Sequence, residues 1–186
     1  MKYLIAGLGN IGPEYAFTRH NVGFMVLDRL AAQEGLRFSM GRLAYGAEFR
    51  YKSRSLYLIK PTTYMNLSGR AVNHWMKELK IPQENVLVIT DDIALPFGKL
   101  RLKTRGSHGG HNGLRNIQEV LGTDAYARLR CGVGNDFPKG RQVDYVLGAF
   151  DREEESQLPD YLDRAGEMVR QFCTIGAEQT MNNFNE

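Results

Sequence analysis

The sequence predicts an α/β fold: a single domain over residues 1–186, in a three-layer arrangement with a mixed, twisted central β-sheet flanked by helices. Three observations carry that expectation. Short apolar runs ended by glycine or proline alternate with segments whose apolar residues recur every three or four positions. Two neighbouring runs, at 44–52 and 56–60, are separated only by Ser53-Arg54-Ser55, a connection that suits antiparallel neighbours and makes the sheet mixed. Composition is that of an ordinary globular chain, 42% hydrophobic and 24% charged over 186 residues, which is long enough to bury one sizeable core.

The elements follow in order. Tyr3-Leu4-Ile5-Ala6 stops at Gly7-Leu8-Gly9-Asn10, the pattern of a buried strand entering a tight turn. Over 21–34, Val22, Met25, Val26, Leu30 and Ala31 share a helical face and Gly35 supplies the stop, so His20 sits at that helix's N-terminus. Pro61 ends the second strand of the antiparallel pair. A loop over 62–69 then leads to Ala71, Val72, Trp75, Met76 and Leu79, an amphipathic helix closed by Ile81-Pro82. Val86-Leu87-Val88-Ile89 is a buried strand that delivers Asp91-Asp92 at its C-terminal end. Residues 99–103 alternate as a half-exposed strand does. A glycine-rich loop at 106–113 follows, then a helix marked by Leu114, Ile117, Val120 and Leu121, and a strand at 129–134. Asp151 and Glu154 have capping-box spacing, and Pro159 is expected to start a second C-terminal helical segment. No linker or repeat is visible.

Lys and Arg total 24 against 21 Asp and Glu, a net charge of +3, which neither assigns nor excludes a nucleic-acid partner. The distribution says more. Residues 99–141 hold nine basic side chains against three acidic ones, whereas 142–186 hold three against ten. That asymmetry suits a basic face for an anionic partner and an acidic C-terminal helix directed elsewhere, although a charged run can equally be solvated surface. No run of about 18 apolar residues occurs, and Met1-Lys2-Tyr3 leads into a strand and not into a signal-peptide core. A cytoplasmic protein without a membrane span is therefore expected. Cys131 and Cys173 lack CxxC or Cys/His ligand spacing, so buried, reduced thiols are expected.

Gly7-Leu8-Gly9-Asn10-Ile11-Gly12 has the G-x-G-x-x-G form of a dinucleotide turn. Its context does not fit one: Pro13 follows the third glycine, the helical pattern begins only near Asn21, and Asp28 falls inside that helix. Three of the four histidines lie in polar, glycine-containing segments, His20 in Thr18-Arg19-His20-Asn21, His108 and His111 in Ser107-His108-Gly109-Gly110-His111-Asn112-Gly113. His74, beside Trp75, reads as an ordinary helical residue. A loop histidine alone is polar surface, so partners decide. Residues just past strand C-termini gather in one crevice of an α/β sheet, which collects Asn10, Asp91 and Asn112, with His20 and Asn66 joining from loops. A histidine, a carboxylate and several amides suffice for general-base attack by water. The carboxylate fixes the imidazole tautomer and stabilises its cation, while the amides polarise a carbonyl. No G-x-S-x-G is present and Cys131 lies in a strand, so water is the preferred nucleophile. A metal centre on His20, His108, His111 and Asp91 is the competing chemistry, but H-x-x-H in a loop lacks the helical spacing of zinc motifs. No metal or other cofactor is expected.

Several stretches together resemble the bacterial-type peptidyl-tRNA hydrolase family, in family order over nearly the whole chain. They are Gly7-Leu8-Gly9-Asn10 with Glu14-Tyr15, Thr18-Arg19-His20-Asn21-Val22-Gly23, Pro61-Thr62-Thr63-Tyr64-Met65-Asn66-Leu67-Ser68-Gly69, Asp91-Asp92, Gly109-Gly110-His111-Asn112-Gly113-Leu114, Arg128-Leu129-Arg130 and Met181-Asn182-Asn183-Phe184-Asn185. The resemblance implies cleavage of the ester between a peptide and the terminal ribose of tRNA, recycling tRNA from aborted translation. It implies that His20 is the proton-accepting base, Asp91 the carboxylate that keeps it basic, and Asn10 a residue that helps distinguish a peptidyl from a free aminoacyl group. Tyr15, Tyr64, Asn66 and Asn112 match substrate-contacting positions, Asn112 also orienting the water, and Met65 and His111 join them as substrate-binding residues. Lys103 and Arg130 correspond to a cationic pair near the tRNA 5′ phosphate, with Arg105, Arg128 and Arg141 adding weaker backbone contacts. The implied partner is peptidyl-tRNA, met through acceptor stem, 3′-CCA end and peptide, by phosphate and shape more than by base sequence. A monomer is implied. The alternative is a non-catalytic RNA-binding relative of the same fold, against which every catalytic position is retained. Two positions depart from the family pattern: Ile11 stands where a proline is usual, leaving the Asn10 loop less restricted, and Ala94 replaces the second acidic residue of an Asp-x-x-Asp-Leu-Pro run.

Overall fold

The computed structural model describes residues 1–185. Its strands are β1 (Lys2–Gly7), β2 (Ser39–Met40), β3 (Ala44–Tyr51), β4 (Arg54–Pro61), β5 (Val86–Asp92), β6 (Leu100–Lys103) and β7 (Ala127–Gly132). The helices are α1 (Val22–Gln33), α2 (Ser68–Glu78), α3 (Asn112–Leu121), α4 (Gln142–Val146) and α5 (Arg152–Phe184). All seven strands join one sheet in the order β2-β3-β4-β1-β5-β7-β6. Its centre is parallel, β4 with β1, β1 with β5 and β5 with β7, and both flanks are antiparallel.

Alternation along the buried strands divides the core into two. Tyr3 and Ile5 of β1 pack with Val26 and Leu30 of α1 and with Ala165, Val169 and Phe172 of α5 on one face. Leu4 and Ala6 pack with Val72 of α2 and Leu114 and Ile117 of α3 on the other. Helices on both faces of a mixed sheet give the three layers expected. From β1 the chain passes through α1 to reach β4 on one side, and from β4 through α2 to reach β5 on the other. The direction therefore reverses between β1 and β5, and at such a switch point the carboxyl ends of the strands leave a crevice open. Gly7 at the end of β1 is in register with Ile89 of β5, so the Asn10 turn and Asp91 open into that same crevice.

The glycines of the first motif serve helix packing. A Cβ on Gly23 would lie 2.5 Å from Leu8 N and 2.6 Å from Ile89 O, and one on Gly7 would lie 2.3 Å from Gly23 O. Helix α1 thus rests directly on the backbones of β1 and β5, beginning at Val22 and not inside the glycine turn, and no dinucleotide cradle forms.

Three features differ from the sequence reading. The two-residue β2 and the five-residue α4 are too short to show a periodicity. Pro159 does not start a helix: α5 runs continuously past it from Arg152, because the residue is exposed in the second turn, where solvent can satisfy the unpaired carbonyl and proline's fixed φ already suits the helix. The break falls instead at Gly176, with φ 89° and ψ 170°. The capping box at the start of α5 is present, with Glu154 N donating to Asp151 Oδ1 at 2.8 Å and Asp151 N to Glu154 Oε1 at 2.9 Å.

Candidate active site

At the C-terminal ends of β1 and β5 lies a cleft of about 520 Å³, lined among others by Asn10, His20, Met65, Asn66, Asp91, His111 and Asn112. The Thr18–Asn21 motif delivers His20. Thr18 Oγ1 donates to Tyr15 O at 2.9 Å, and Arg19 donates to Tyr145 O at 3.1 Å and to Glu154 Oε1 at 3.2 Å. Asn21 grips the Asn10 main chain, accepting from its N–H at 2.9 Å and donating to its carbonyl at 2.8 Å. His20, in the short 3-10 turn leading into α1, is left to meet Asp91, its Nδ1 lying 2.8 Å from Asp91 Oδ2.

The partners of Asp91 fix where the protons lie. His111 Nδ1 accepts from the backbone N–H groups of Gly113 and Leu114, at 3.1 and 3.2 Å, and so caps α3. The proton of a neutral His111 is therefore on Nε2, which sits 2.8 Å from Asp91 Oδ1 and 2.8 Å from Thr90 Oγ1. One carboxylate oxygen receives His111 and the other receives the Nδ1–H of His20. The His20 Nε2 then carries the lone pair, the tautomer a base needs.

Burial reinforces the arrangement, since the Asp91 side chain is only 3% exposed and that of His20 14%. Burial alone would lower the basicity of His20, but the charge of Asp91 and its hydrogen bond outweigh that and hold the imidazole above its ordinary 6.5. Burial would likewise raise the Asp91 pKa, yet His111 and His20 together hold it well below the ordinary carboxylate range. The cysteines are buried and free. Burial pushes Cys131 well up, with Asp91 and Asp92 adding to it, and pushes Cys173 up to about 12; neither is a thiolate nucleophile at neutral pH.

His20, Asp91 and His111 are also the described residues that could hold a metal, their ligand atoms lying within 4.8 Å of one another. The fit is poor. At the nitrogens that face Asp91, Nδ1 of His20 and Nε2 of His111, a cation would have to displace the protons that bind the carboxylate. His108 stands apart, its Nδ1 accepting from Gly110 N at 3.0 Å within the loop.

Asn10 is oriented as firmly as His20. Its Oδ1 accepts from Met65 N at 2.7 Å, which leaves the Nδ2 donor for the cleft. To offer that amide, the chain passes through Tyr64 at φ 63° and ψ 160°, a region nearly reserved for glycine. Ser68 Oγ holds the next carbonyl, Met65 O, at 2.7 Å. Asn66 and Asn112 are exposed on the cleft wall, whereas Tyr15 and the half-exposed Tyr64 (51%) do not line it.

Comparison with known proteins bears on this geometry. The family model described as peptidyl-tRNA hydrolase matches residues 4–186. The chain belongs to the peptidyl-tRNA hydrolase family. A relative so named from Cytophaga hutchinsonii is 60% identical over 100% of this chain and 98% of its own, and one from Bacteroides fragilis is 56% identical over the full length of both. The crystal structure of peptidyl-tRNA hydrolase from Acinetobacter baumannii, 37% identical, superposes with a TM-score of 0.91 and covers 98% of this chain and 94% of that one.

As in the sequence reading, basic residues border the cleft of this family member, Lys103, Arg105 and Arg130 among them. Arg130 is ion-paired through Nε with Asp92 Oδ2, and Asp92 Oδ1 accepts from Ala94 N at 2.7 Å. With alanine at 94, Asp92 supplies the carboxylate that Arg130 meets. Arg105 lies 3.8 Å from Asp124, and Arg141 pairs with Asp144 at 3.0 Å, both at the surface. Arg128 is a correction. It is 1% exposed, its guanidinium donates to the carbonyls of Gly106, Asp124 and Tyr126, and it stacks 3.9 Å from the centre of the Tyr126 ring. Four of its five N–H donors are spent on carbonyls inside the protein, which sets it apart from the exposed Lys103 and Arg105.

The residues that sequence reasoning missed hold others in place: Asn21, Arg19, Thr90 and Ser68. Asn21 and Arg19 flank His20 in the motif, which is the one signal that could have found them.

Proposed function

We propose that this chain hydrolyses the ester between an N-blocked peptide and the 3′-terminal ribose of tRNA, with His20 as general base. The observation that carries the reading is the 2.8 Å contact of His20 Nδ1 with Asp91, in a proton arrangement that leaves Nε2 unprotonated. His20 Nε2 takes a proton from water as the water oxygen bonds to the ester carbonyl carbon. The tetrahedral intermediate then expels the ribose oxygen, which takes the proton back from the imidazolium; the peptide acid loses its remaining proton to solvent, and peptide carboxylate and tRNA leave. Asp91 stabilises the transient cation. The Asn10 amide donor meets the carbonyl region of the peptide, Asn66 supplies a further donor, Asn112 orients the water, and Met65 and His111 line the cleft while Tyr15 and Tyr64 meet the substrate outside it.

Lys103 and Arg130 meet the tRNA backbone near its 5′ phosphate, with Arg105 and Arg141 outside them, and the acceptor stem leads the CCA end into the cleft. The chain works as one domain, as a monomer in the cytoplasm. Among the described residues no helix is long and apolar enough to cross a membrane. The reaction needs no metal.

The test is single-turnover hydrolysis of N-acetyl-aminoacyl-tRNA, with and without EDTA. Ester cleavage that survives chelation and is lost in His20→Ala supports the reading. Tight tRNA binding without cleavage would make the chain a non-catalytic RNA binder, and loss of cleavage on chelation would point to a metal.

A further inference from the structure

Met181-Asn182-Asn183-Phe184-Asn185 is the one shared motif that lies away from the cleft, and its last residue makes a two-point contact. The Asn185 side chain accepts from Leu102 N at 2.8 Å and donates to Leu102 O at 2.9 Å. β6 is the outermost strand on that side of the sheet and pairs inward with β7, so its outer edge has no neighbouring strand. The carboxamide of Asn185 has the donor and acceptor of a peptide group and stands in for one at the middle of this four-residue strand. Gly176 makes the placement possible: the break there turns the end of α5, Thr180 Oγ1 donates to Gly176 O at 2.7 Å, and Ala177, Met181 and Phe184 pack onto the α1–α5 side of the core. Leu100 and Leu102 are buried, while Lys103, next in the chain, is exposed and borders the cleft.

We propose that Asn185 is a positioning residue for tRNA. It clamps the outer edge of β6 and thereby holds Lys103, and the start of the loop that leads to His111, where the tRNA backbone is met. The inference rests on the proposed role of Lys103. A four-residue edge strand frays readily, and fraying spreads the Lys103 ammonium over positions that must be re-ordered each time a phosphate binds. Asn185 removes that cost before tRNA arrives, so its loss falls on KM for the macromolecular substrate and not on proton transfer at His20.

Asn185→Ala and Lys103→Ala are each assayed with N-acetyl-aminoacyl-tRNA and with the N-acetyl-aminoacyl ester of the trinucleotide CCA, and amide exchange at Leu102 is followed by NMR. The expected result is that Asn185→Ala unprotects the Leu102 amide, raises KM for the tRNA substrate roughly fivefold with little change in kcat, and lowers the preference for tRNA over the trinucleotide as Lys103→Ala does. Three results overturn it: a Leu102 amide that stays protected, a wild-type KM beside an unprotected amide while Lys103→Ala raises KM, or a fall in kcat shared equally by both substrates. A Lys103→Ala variant with unchanged KM would instead defeat the basic-face reading, leaving Asn185 nothing to position.

Discussion

Two imidazole N–H groups converge on the Asp91 carboxylate, one from each side, and the backbone cap on His111 leaves no freedom to exchange their roles. His20→Ala removes the base and is expected to lower kcat by at least ~10²–10⁴ while tRNA binding persists, as read by single-turnover hydrolysis beside filter binding. In Asp91→Asn the amide group must face one of the two N–H groups with a donor. If it faces His20, Nδ1 becomes the acceptor and Nε2 takes the proton, the wrong tautomer for a base; a drop of roughly 10²–10⁴ follows. Remaining activity should show its acid limb at lower pH, since burial then acts on His20 without the opposing carboxylate charge. The sign for stability is opposite to that for activity. With the folded pKa of His20 raised, its ion pair contributes fully below the unfolded imidazole value and that contribution is lost as pH rises through the folded value. Over that window the wild type gains active base as it loses stability, whereas Asp91→Asn should show neither trend, a comparison that thermal unfolding and rate measurements across pH 6–9 or so would make.

Among the elements, α1 anchors the turn that holds His20 in the cleft and depends on Gly23. Gly23→Ala places a Cβ against Leu8 N and Ile89 O, so the helix must back away; a loss of about 1–3 kcal/mol in chemical denaturation and a lower kcat are expected together. Arg128→Met leaves the Gly106, Asp124 and Tyr126 carbonyls short of donors and is expected to cost about 1–3 kcal/mol, read in the same experiment. The sequence pattern made most elements legible because each buried strand is a short apolar run and each long helix repeats its apolar residues. It failed where pattern says little. β2 and α4 are too short to repeat a pattern, and Pro159 reads as a start signal although an exposed second-turn position tolerates it. Arg128 read as a surface cation because nothing local reveals carbonyls that converge on it from residues 106, 124 and 126. His20 and Asp91 were legible as a pair because the rule placing strand ends in one crevice overrides their separation in the chain. Asn21 and Asn185 were not, since an asparagine that imitates a peptide group declares itself only when its partner backbone is seen.

For the whole molecule, charge is arranged and not accumulated. A net charge of +3 is small, but Lys103, Arg105 and Arg130 border the cleft while the acidic residues at 153–155 start α5. Because phosphate contacts exchange with released counterions, kcat/KM for the tRNA substrate is expected to fall with ionic strength, and Lys103→Ala to reduce the magnitude of the log–log salt slope by about one contact. Arg128→Met should leave that slope as it is in wild type, since its guanidinium is committed to carbonyls. These expectations all return to one arrangement, an imidazole whose Nδ1 proton is held by Asp91 so that Nε2 is free to act. Its most direct test is ¹⁵N NMR of the His20 ring through a pH titration. The arrangement predicts that neutral His20 is protonated at Nδ1, with a pKa above the ordinary 6.5 that falls in Asp91→Asn; a neutral ring protonated at Nε2, or a pKa indifferent to that substitution, would contradict it.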